Sequence, residues 1–352
     1  MNAEEAVMKK VLIASMREGA GKTSVIAGMS TAAGKKCGYI KPLGDRLVYR
    51  RKKNVDHDAA VLMELLGMGD DPESISIGFT HSKLRYRYDE EGTKKALAAM
   101  AERAGAGRDV LFIEGGRDMA FGASINLDSL SQARYLDARM AIVVGGDPDL
   151  VMDDIHLIHQ FLNLTRVNFT GVIINRIPDI DDFRNSYQKS ITDLGIAVLG
   201  VLPYKEQLTW FSMAFLAERF HARVIAGESG MKNIVRHTLV GAMSPEESFR
   251  NPIFNKEKKL IITSGDRSDM VVGALEGDTA GIILTNNIVP PHNIINAAGE
   301  KGVPLLLVPY DTYEVARQMD NFDALLLSGE DEKIQLLGRL AGEYIRIGEL
   351  IG

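Results

Sequence analysis

The sequence contains one cysteine, Cys37, and no surplus of positive charge: 41 lysines and arginines face 47 acidic residues, for a formal net charge of -6. One thiol excludes an intrachain disulfide and points to a reducing compartment. Nucleic acid is a poor partner for such a chain, because phosphate backbones are met by basic patches. The longest basic block, Arg50-Arg51-Lys52-Lys53, reads as a solvated loop or as a meeting point for an anionic substrate. No apolar run has the length of a membrane span. The first residues, Met-Asn-Ala-Glu-Glu, are acidic, unlike a secretory signal. Together these absences predict a soluble, cytoplasmic protein that engages neither membrane nor nucleic acid. A Cys/His zinc pattern and a Gly-x-Ser-x-Gly elbow are also missing, and Ser, His and Asp are too scattered to propose a triad.

What is present begins with size: 352 residues, 45% apolar, leave room for two or three domains with sizeable cores. The most informative stretch runs from Lys9 to Gly28. Lys9-Lys10-Val-Leu-Ile-Ala-Ser is a short apolar run of strand type. Met16-Arg17-Glu18-Gly19-Ala20-Gly21-Lys22-Thr23 follows, and Ser24-Val-Ile-Ala-Gly reads as a helix start. Strand, glycine-bearing turn and helix form the layout of a phosphate-binding loop. Backbone N–H groups of Arg17, Glu18, Gly19, Ala20, Gly21 and Ser24 would gather around an anion. Lys22 adds a charge at the outer phosphates, and the Thr23 hydroxyl completes the coordination of magnesium. The usual pattern has glycine where Met16 stands, but Gly21-Lys22-Thr23 is intact. The competing reading is an ordinary turn with a surface lysine. The flanking strand and helix favour the nucleotide.

From Lys10 to about Pro203, strands at Val11–Ser15, Cys37–Lys41, Val110–Glu114, Ala141–Gly145, Gly171–Asn175 and Ala197–Val201 alternate with helical runs such as Glu90–Ala104 and Leu150–Leu162. This rhythm predicts an α/β fold, a mostly parallel sheet with helices on both faces. A second series starts near Leu208, with strands at His221–Ala226, Asn233–Gly241, Leu260–Thr263, Gly281–Leu284, Val303–Val308 and Ala324–Leu327. Its helices are Met270–Leu275, Ile294–Glu300 and Thr312–Gln318. Residues Glu330 to Ile351 carry apolar side chains at helical spacing and predict a closing helix. The expected domains are residues 8–205, 206–328 and the helix 329–352.

Other groups stand where an open parallel sheet binds ligands, at the carboxyl ends of its strands. Glu114 ends one strand before Gly115-Gly116. It either holds magnesium or caps a helix, and the glycines, which leave room for a ligand, favour the metal. Lys41, before Pro42, either stabilises charge during phosphoryl or acyl transfer or is a surface lysine. Asp56 or Asp58 is an N-cap, and Asp58 is equally a candidate second magnesium ligand. Asn175 can read a purine edge or simply form a turn. His156 and His159 share a helix face without a third ligand, which favours helix packing over metal.

Gly21-Lys22-Thr23, Lys41-Pro42, Asp58-Ala59, Glu114-Gly115-Gly116 and Asn175-Arg176 occur in the order seen in dethiobiotin synthetase. Residues 8 to 205 resemble that enzyme's branch of the phosphate-loop ATPases, which includes cobyrinic acid diamide synthase and the MinD-type ATPases. The second half resembles the DRTGG domain, through Val224-Ile-Ala-Gly-Glu, Val240-Gly-Ala-Met-Ser244, Ile262-Thr-Ser-Gly-Asp266-Arg267-Ser-Asp269, Gly281-Ile-Ile-Leu-Thr285 and Val308-Pro-Tyr-Asp-Thr-Tyr313. The pair looks like the N-terminal, non-catalytic region of long phosphotransacetylases, without the acetyltransferase domain. The resemblance implies ATP and Mg2+ as cofactors. It assigns Lys22 and Thr23 to phosphate and magnesium, Thr23, Asp58 and Glu114 to the metal, Lys41 to the reacting group and Asn175 to adenine. Arg17 stands where MinD-type proteins carry an extra loop lysine. Residues Thr80 to Arg87 do not resemble the synthetase's substrate segment.

Three functions follow as expectations. One is a nucleotide-binding regulatory or sensory protein, expected to be a homodimer by analogy with its fold family. The alternative is a Mg-ATP-dependent ligase or synthetase acting on a carboxylate. An assembly protein that has lost its nucleotide fits least, because Gly-Lys-Thr is retained.

Overall fold

The computed structural model describes residues 8–50, 53–69, 71–241, 250, 252–320, 322 and 325–352. Arg51 and Lys52 of the basic block, Ala242 to Ser244 of the DRTGG-like stretch and Ala324 lie outside the described residues. The chain forms two compact units, Met1–Lys205 with Leu326–Gly352, and Glu206–Leu325. Among the described residues, no helix is long and apolar enough to cross a membrane.

The first unit opens with β1 (Lys9–Ser15), α1 (Lys22–Ala32) and β2 (Cys37–Ile40), followed by a hairpin of β3 (Leu47–Arg50) and β4 (Lys53–Asp56). Helices α2 (His57–Leu65), α3 (His81–Arg87) and α4 (Glu90–Gly105) lead to β5 (Val110–Glu114). Then come α5 (Ser129–Leu136), β6 (Arg139–Gly145), α6 (Pro148–Phe161), β7 (Asn168–Ile177), α7 (Ile180–Phe183), α8 (Lys189–Asp193) and β8 (Val198–Pro203). Six strands form one sheet in the order β2-β5-β1-β6-β7-β8, every neighbouring pair parallel. Such strands are covered on both faces, which is why β1 and β6 read as unbroken apolar runs. Val11, Leu12, Ile13 and Ala14 are fully buried, as are Ala141 to Val144. The chain leaves β1 toward β2 on one side, then crosses to β6 on the other. This reversal opens a crevice beyond the carboxyl ends of β1, β5 and β6.

The second unit contains β9 (Phe211–Ser212), α9 (Met213–Arg219), β10 (Arg223–Ala226), β11 (Ile234–Val235), β12 (His237–Val240), β13 (Lys259–Ser264), α10 (Ser268–Glu276), β14 (Thr279–Thr285), α11 (His292–Glu300), β15 (Leu305–Leu307) and α12 (Thr312–Asp320). Its sheet has the order β10-β15-β14-β13-β12, parallel except for the antiparallel edge strand β10. Ile261, Ile282, Leu284 and Leu305 pack against Met270, Val271 and Ala274 of α10 and Ile294 and Ala298 of α11. The single strand expected over Asn233–Gly241 breaks at Arg236: β11 pairs with β9, while β12 joins the main sheet. Leu325–Leu327 form no strand.

The closing helix is likewise two helices, α13 (Asp331–Tyr344) and α14 (Ile347–Ile351). Ile345 interrupts them because its backbone bridges Gly200 on the edge strand β8, and Arg346 N donates to Leu199 O at 2.9 Å. Edge-strand groups need partners, and here they outcompete helix continuity. Helix α13 lies so close to α1 that a Cβ on Gly28 would stand 2.6 Å from Leu337 O. Arg139 Nη1 donates to the carbonyls of Glu349, Leu350 and Gly352 at 3.1, 3.2 and 3.2 Å, fastening α14 to the sheet.

Candidate functional site

The turn after β1 is built on backbone that side chains resist. Gly19 and Gly21 have φ of 71° and 101°, in the left-handed region that favours glycine. Gly21 is the N-cap of α1; no side chain caps it and no acid stands in the first turn. The backbone N–H groups at the start of this helix therefore carry its partial positive charge without a side-chain cap. A Cβ on Gly21 would collide with the Asn175 amide. Asn175 Nδ2 donates to Ala20 O at 2.9 Å and the Arg176 guanidinium donates to Gly19 O, so the end of β7 holds the turn in shape.

Lys22 is buried, and its ammonium folds back to donate to Ser15 Oγ at 2.8 Å and Arg117 O at 3.1 Å. Ser15 Oγ in turn donates to Arg17 O at 2.8 Å. Burial pushes the Lys22 pKa below its ordinary value, against the opposing pull of Glu114. Arg17 Nε pairs with the buried carboxylate of Asp154 on α6 at 2.9 Å. Glu18 faces Arg117 at 3.8 Å. Ser24 stands in the first turn of α1.

Glu114, at the end of β5, accepts from the Thr23 hydroxyl at 3.0 Å and the Tyr39 hydroxyl at 2.8 Å. It caps no helix. Burial raises its pKa to about 7; Lys41 opposes the rise and Asp58 adds to it. Lys41, at the end of β2, is 1% exposed and is no surface lysine. Its Nζ lies 2.6 Å from Asp45, 2.8 Å from Asp58, 3.2 Å from Asp56 and 3.8 Å from Glu114. Burial alone would weaken this ammonium, but Asp58, Glu114, Asp56 and Asp45 together hold its pKa well above the usual lysine value. For Asp58, burial works upward, yet Lys41 and Arg46 prevail and lower the pKa.

Asp56 is the N-cap of α2: Oδ1 accepts from Ala59 N at 3.1 Å, and Oδ2 accepts from Asp45 N and Arg46 N at 3.0 Å each. Asp45 and Asp56 thus join the cluster from a loop and a cap, two local roles that gave no chemical signal in the sequence. Ligand atoms of Asp45, Asp56 and Asp58 all lie within 4.8 Å of one another. Four buried or nearly buried carboxylates gather around Lys41 and Lys22, with Arg46 3.7 Å from Asp58. That donor set, with the Thr23 hydroxyl beside Glu114, suits a hard divalent cation. Elsewhere, His156 and His159 are exposed on α6, so the expected helix-packing role does not hold. Arg267 Nη1 donates to Gly241 O at 3.4 Å and Nε stands 3.8 Å from Asp269.

A parallel α/β sheet whose first strand and helix enclose a glycine turn ending in Lys-Thr defines a phosphate-loop NTPase-type fold. Residues 9–212 match the AAA domain family, and residues 215–322 match the DRTGG domain. The chain belongs to this AAA domain family, in its dethiobiotin synthetase-like phosphate-loop form, with a DRTGG domain following it. It is 25% identical over 245 residues to a phosphate acetyltransferase of Synechocystis sp., covering 64% of this chain and 34% of that protein. It is 24% identical over 253 residues to a phosphate acetyltransferase of Nitratidesulfovibrio vulgaris, covering 67% and 35%. The chain thus spans about a third of the length of these curated relatives. Among solved structures it is similar to the MinC:MinD cell division protein complex of Aquifex aeolicus, at 16% identity and a TM-score of 0.35, covering 57% of this chain and 83% of that one.

Proposed function

We propose that this chain binds a magnesium nucleoside triphosphate, ATP by resemblance, between the β1–α1 turn and the end of β5, and that it acts as a regulatory or sensory protein. The observation that carries this reading is the meeting of Lys22, Thr23 and Glu114 beneath an uncapped helix N-terminus, with Lys41 and Asp58 adjoining. Lys22 would leave Ser15 for the outer phosphates, while the turn amides hold the remainder. Thr23, Glu114 and Asp58 would hold magnesium, which neutralises phosphate charge when bound. The closeness of Asn175 to Gly21 supports a part for it at the nucleotide.

Sensing is favoured over turnover by the state of Lys41. An ammonium has three N–H donors, and three carboxylates already stand within 3.2 Å of this one. A related reading, an ATP-dependent ligase acting on a carboxylate, draws support from Glu114. A carboxyl group that titrates at about 7 suits acid–base exchange at neutral pH. The similarity to the N-terminal part of phosphate acetyltransferases supports a regulatory role, with a second copy of the chain and an unidentified effector as partners. A single cysteine, Cys37, is in keeping with a reducing cytoplasmic setting.

The test is a titration of ATP and GTP, with and without magnesium, followed by thermal shift and calorimetry. A ligand of the folded state raises the melting temperature by mass action. Lys22→Ala should weaken binding roughly ten- to a hundredfold, the loss expected for one hydrogen bond to a charged group. No magnesium-dependent stabilisation by either nucleotide would overturn the proposal. Steady phosphate release would transfer support to the ligase reading.

A further inference from the structure

Tyr39 is fully buried beside the candidate site, and its phenol donates to Glu114 Oε2 at 2.8 Å. We propose that Tyr39 is a specificity-determining residue: by holding Oε2 it leaves Glu114 a single oxygen for a cation, and so selects magnesium over calcium. The inference rests on the reading of Glu114 as a magnesium ligand.

The sheet dictates this contact. Strand β2 lies beside β5, and Tyr39 pairs in register with Phe112. Glu114 is two residues beyond Phe112, so its side chain leaves the same face of the sheet. A phenol spans that step where a shorter side chain would stop. The two carboxylate oxygens are thereby divided. Oε2 accepts from Tyr39 on β2, while Oε1 accepts from Thr23 on α1 at 3.0 Å and stands 3.8 Å from Lys41 Nζ. A buried hydroxyl needs a partner, and a main-chain carbonyl would satisfy it. Pairing with a carboxylate instead gives a charge-assisted bond, roughly twice as strong as a neutral one. Tyr39 therefore fixes the rotation of the carboxylate as well as one of its oxygens.

That division favours one kind of cation. Magnesium demands near-octahedral geometry and takes one or two carboxylates, with waters and phosphate oxygens completing the set. Calcium takes roughly six to eight oxygens and readily accepts both oxygens of one carboxylate. Glu114 cannot turn both oxygens to a cation without giving up Tyr39. Asp58 is restrained likewise, its Oδ2 accepting from Lys41 at 2.8 Å. Oε1, the oxygen that Tyr39 leaves available, is the one that faces Thr23 and the start of α1.

The experiment measures ATP binding to the full chain by calorimetry and thermal shift, with magnesium, with calcium and with EDTA. It is run in mildly alkaline buffer, where Glu114 is a carboxylate. The parent should bind ATP more tightly with magnesium than with calcium. Tyr39→Phe keeps the ring and removes the donor. It should narrow that preference roughly tenfold, the lower end of what losing a ligand-orienting partner costs. The magnesium complex should weaken, the calcium complex should hold or tighten, and ATP affinity in EDTA should match the parent's. Equal weakening with both metals, which a merely structural tyrosine would produce, overturns the inference, as does an unchanged preference. If the parent's ATP binding is indifferent to both metals, the metal assignment itself fails and takes the inference with it. A magnesium preference that Tyr39→Phe leaves intact removes the inference alone. Should Tyr39→Phe fail to fold, the parent decides: equal affinity with the two metals overturns the inference, and a magnesium preference supports it.

Discussion

Lys41 Nζ lies 2.8 Å from Asp58 Oδ2, and the same ammonium sits among Asp45 and Asp56, at the centre of three carboxylates that a divalent cation would otherwise suit. The lysine stabilises the apo site by doing electrostatically what a metal does. Removing it leaves uncompensated buried charge, which costs about 3–5 kcal/mol. Lys41→Met should therefore lower stability by that amount in urea unfolding at neutral pH. Adding Asp58→Asn should recover part of the loss, because contacting residues are not additive. Magnesium or manganese should stabilise Lys41→Met more than the parent; equal stabilisation would contradict the placement.

Glu114 predicts the pH response of the apo protein. Its pKa is raised, chiefly by burial, from 4.5 to about 7. The folded state thus holds a proton that the unfolded state has released between those values, so stability falls as pH rises through that window. Each pKa unit is worth about 1.4 kcal/mol, which puts the total near 3 kcal/mol. Glu114→Gln, which keeps the shape without the charge, should flatten the urea midpoint between about pH 5 and 7.5. An unchanged slope in that variant would assign the pH dependence to other groups.

Gly21→Ala should separate loop geometry from charge. Its φ of 101° costs a side-chain-bearing residue about 1–2 kcal/mol, and the new methyl meets Asn175. The sheet should survive, as read by far-UV circular dichroism, while the nucleotide-induced thermal shift disappears with Lys22 intact. Retention of the full shift would mean that the turn tolerates a different path.

Gly28→Ala tests the packing of α13 on α1. The methyl would press on Leu337 O, and overpacking of this kind costs roughly 1–3 kcal/mol. Stability should fall by that amount in urea unfolding, because the two helices must part. A neutral result would indicate that α13 shifts without cost.

Much of the first unit was legible because its signals are local. A Val-Leu-Ile run, a glycine turn and Gly-Lys-Thr lie within 15 residues of one another, and each parallel strand announces itself by continuous apolar character. Lys41 and Glu114 could be proposed because each closes or follows such a strand, and Asp58 because it opens a helix. The split of Asn233–Gly241 was not legible, since apolar residues on two short strands look like those on one.

The order of strand, turn and helix, and with it the phosphate-loop class, belonged to the chain's own periodicity and turn chemistry, which act over a few residues. Tertiary structure alone decided that Asp45 and Asp56 join Lys41, that Tyr39 and Thr23 share Glu114, that Ser15 receives Lys22, and that the last helices return to the first unit. Those outcomes depend on which strand ends the sheet order makes neighbours, and on which edge groups still lack a partner when the chain comes back.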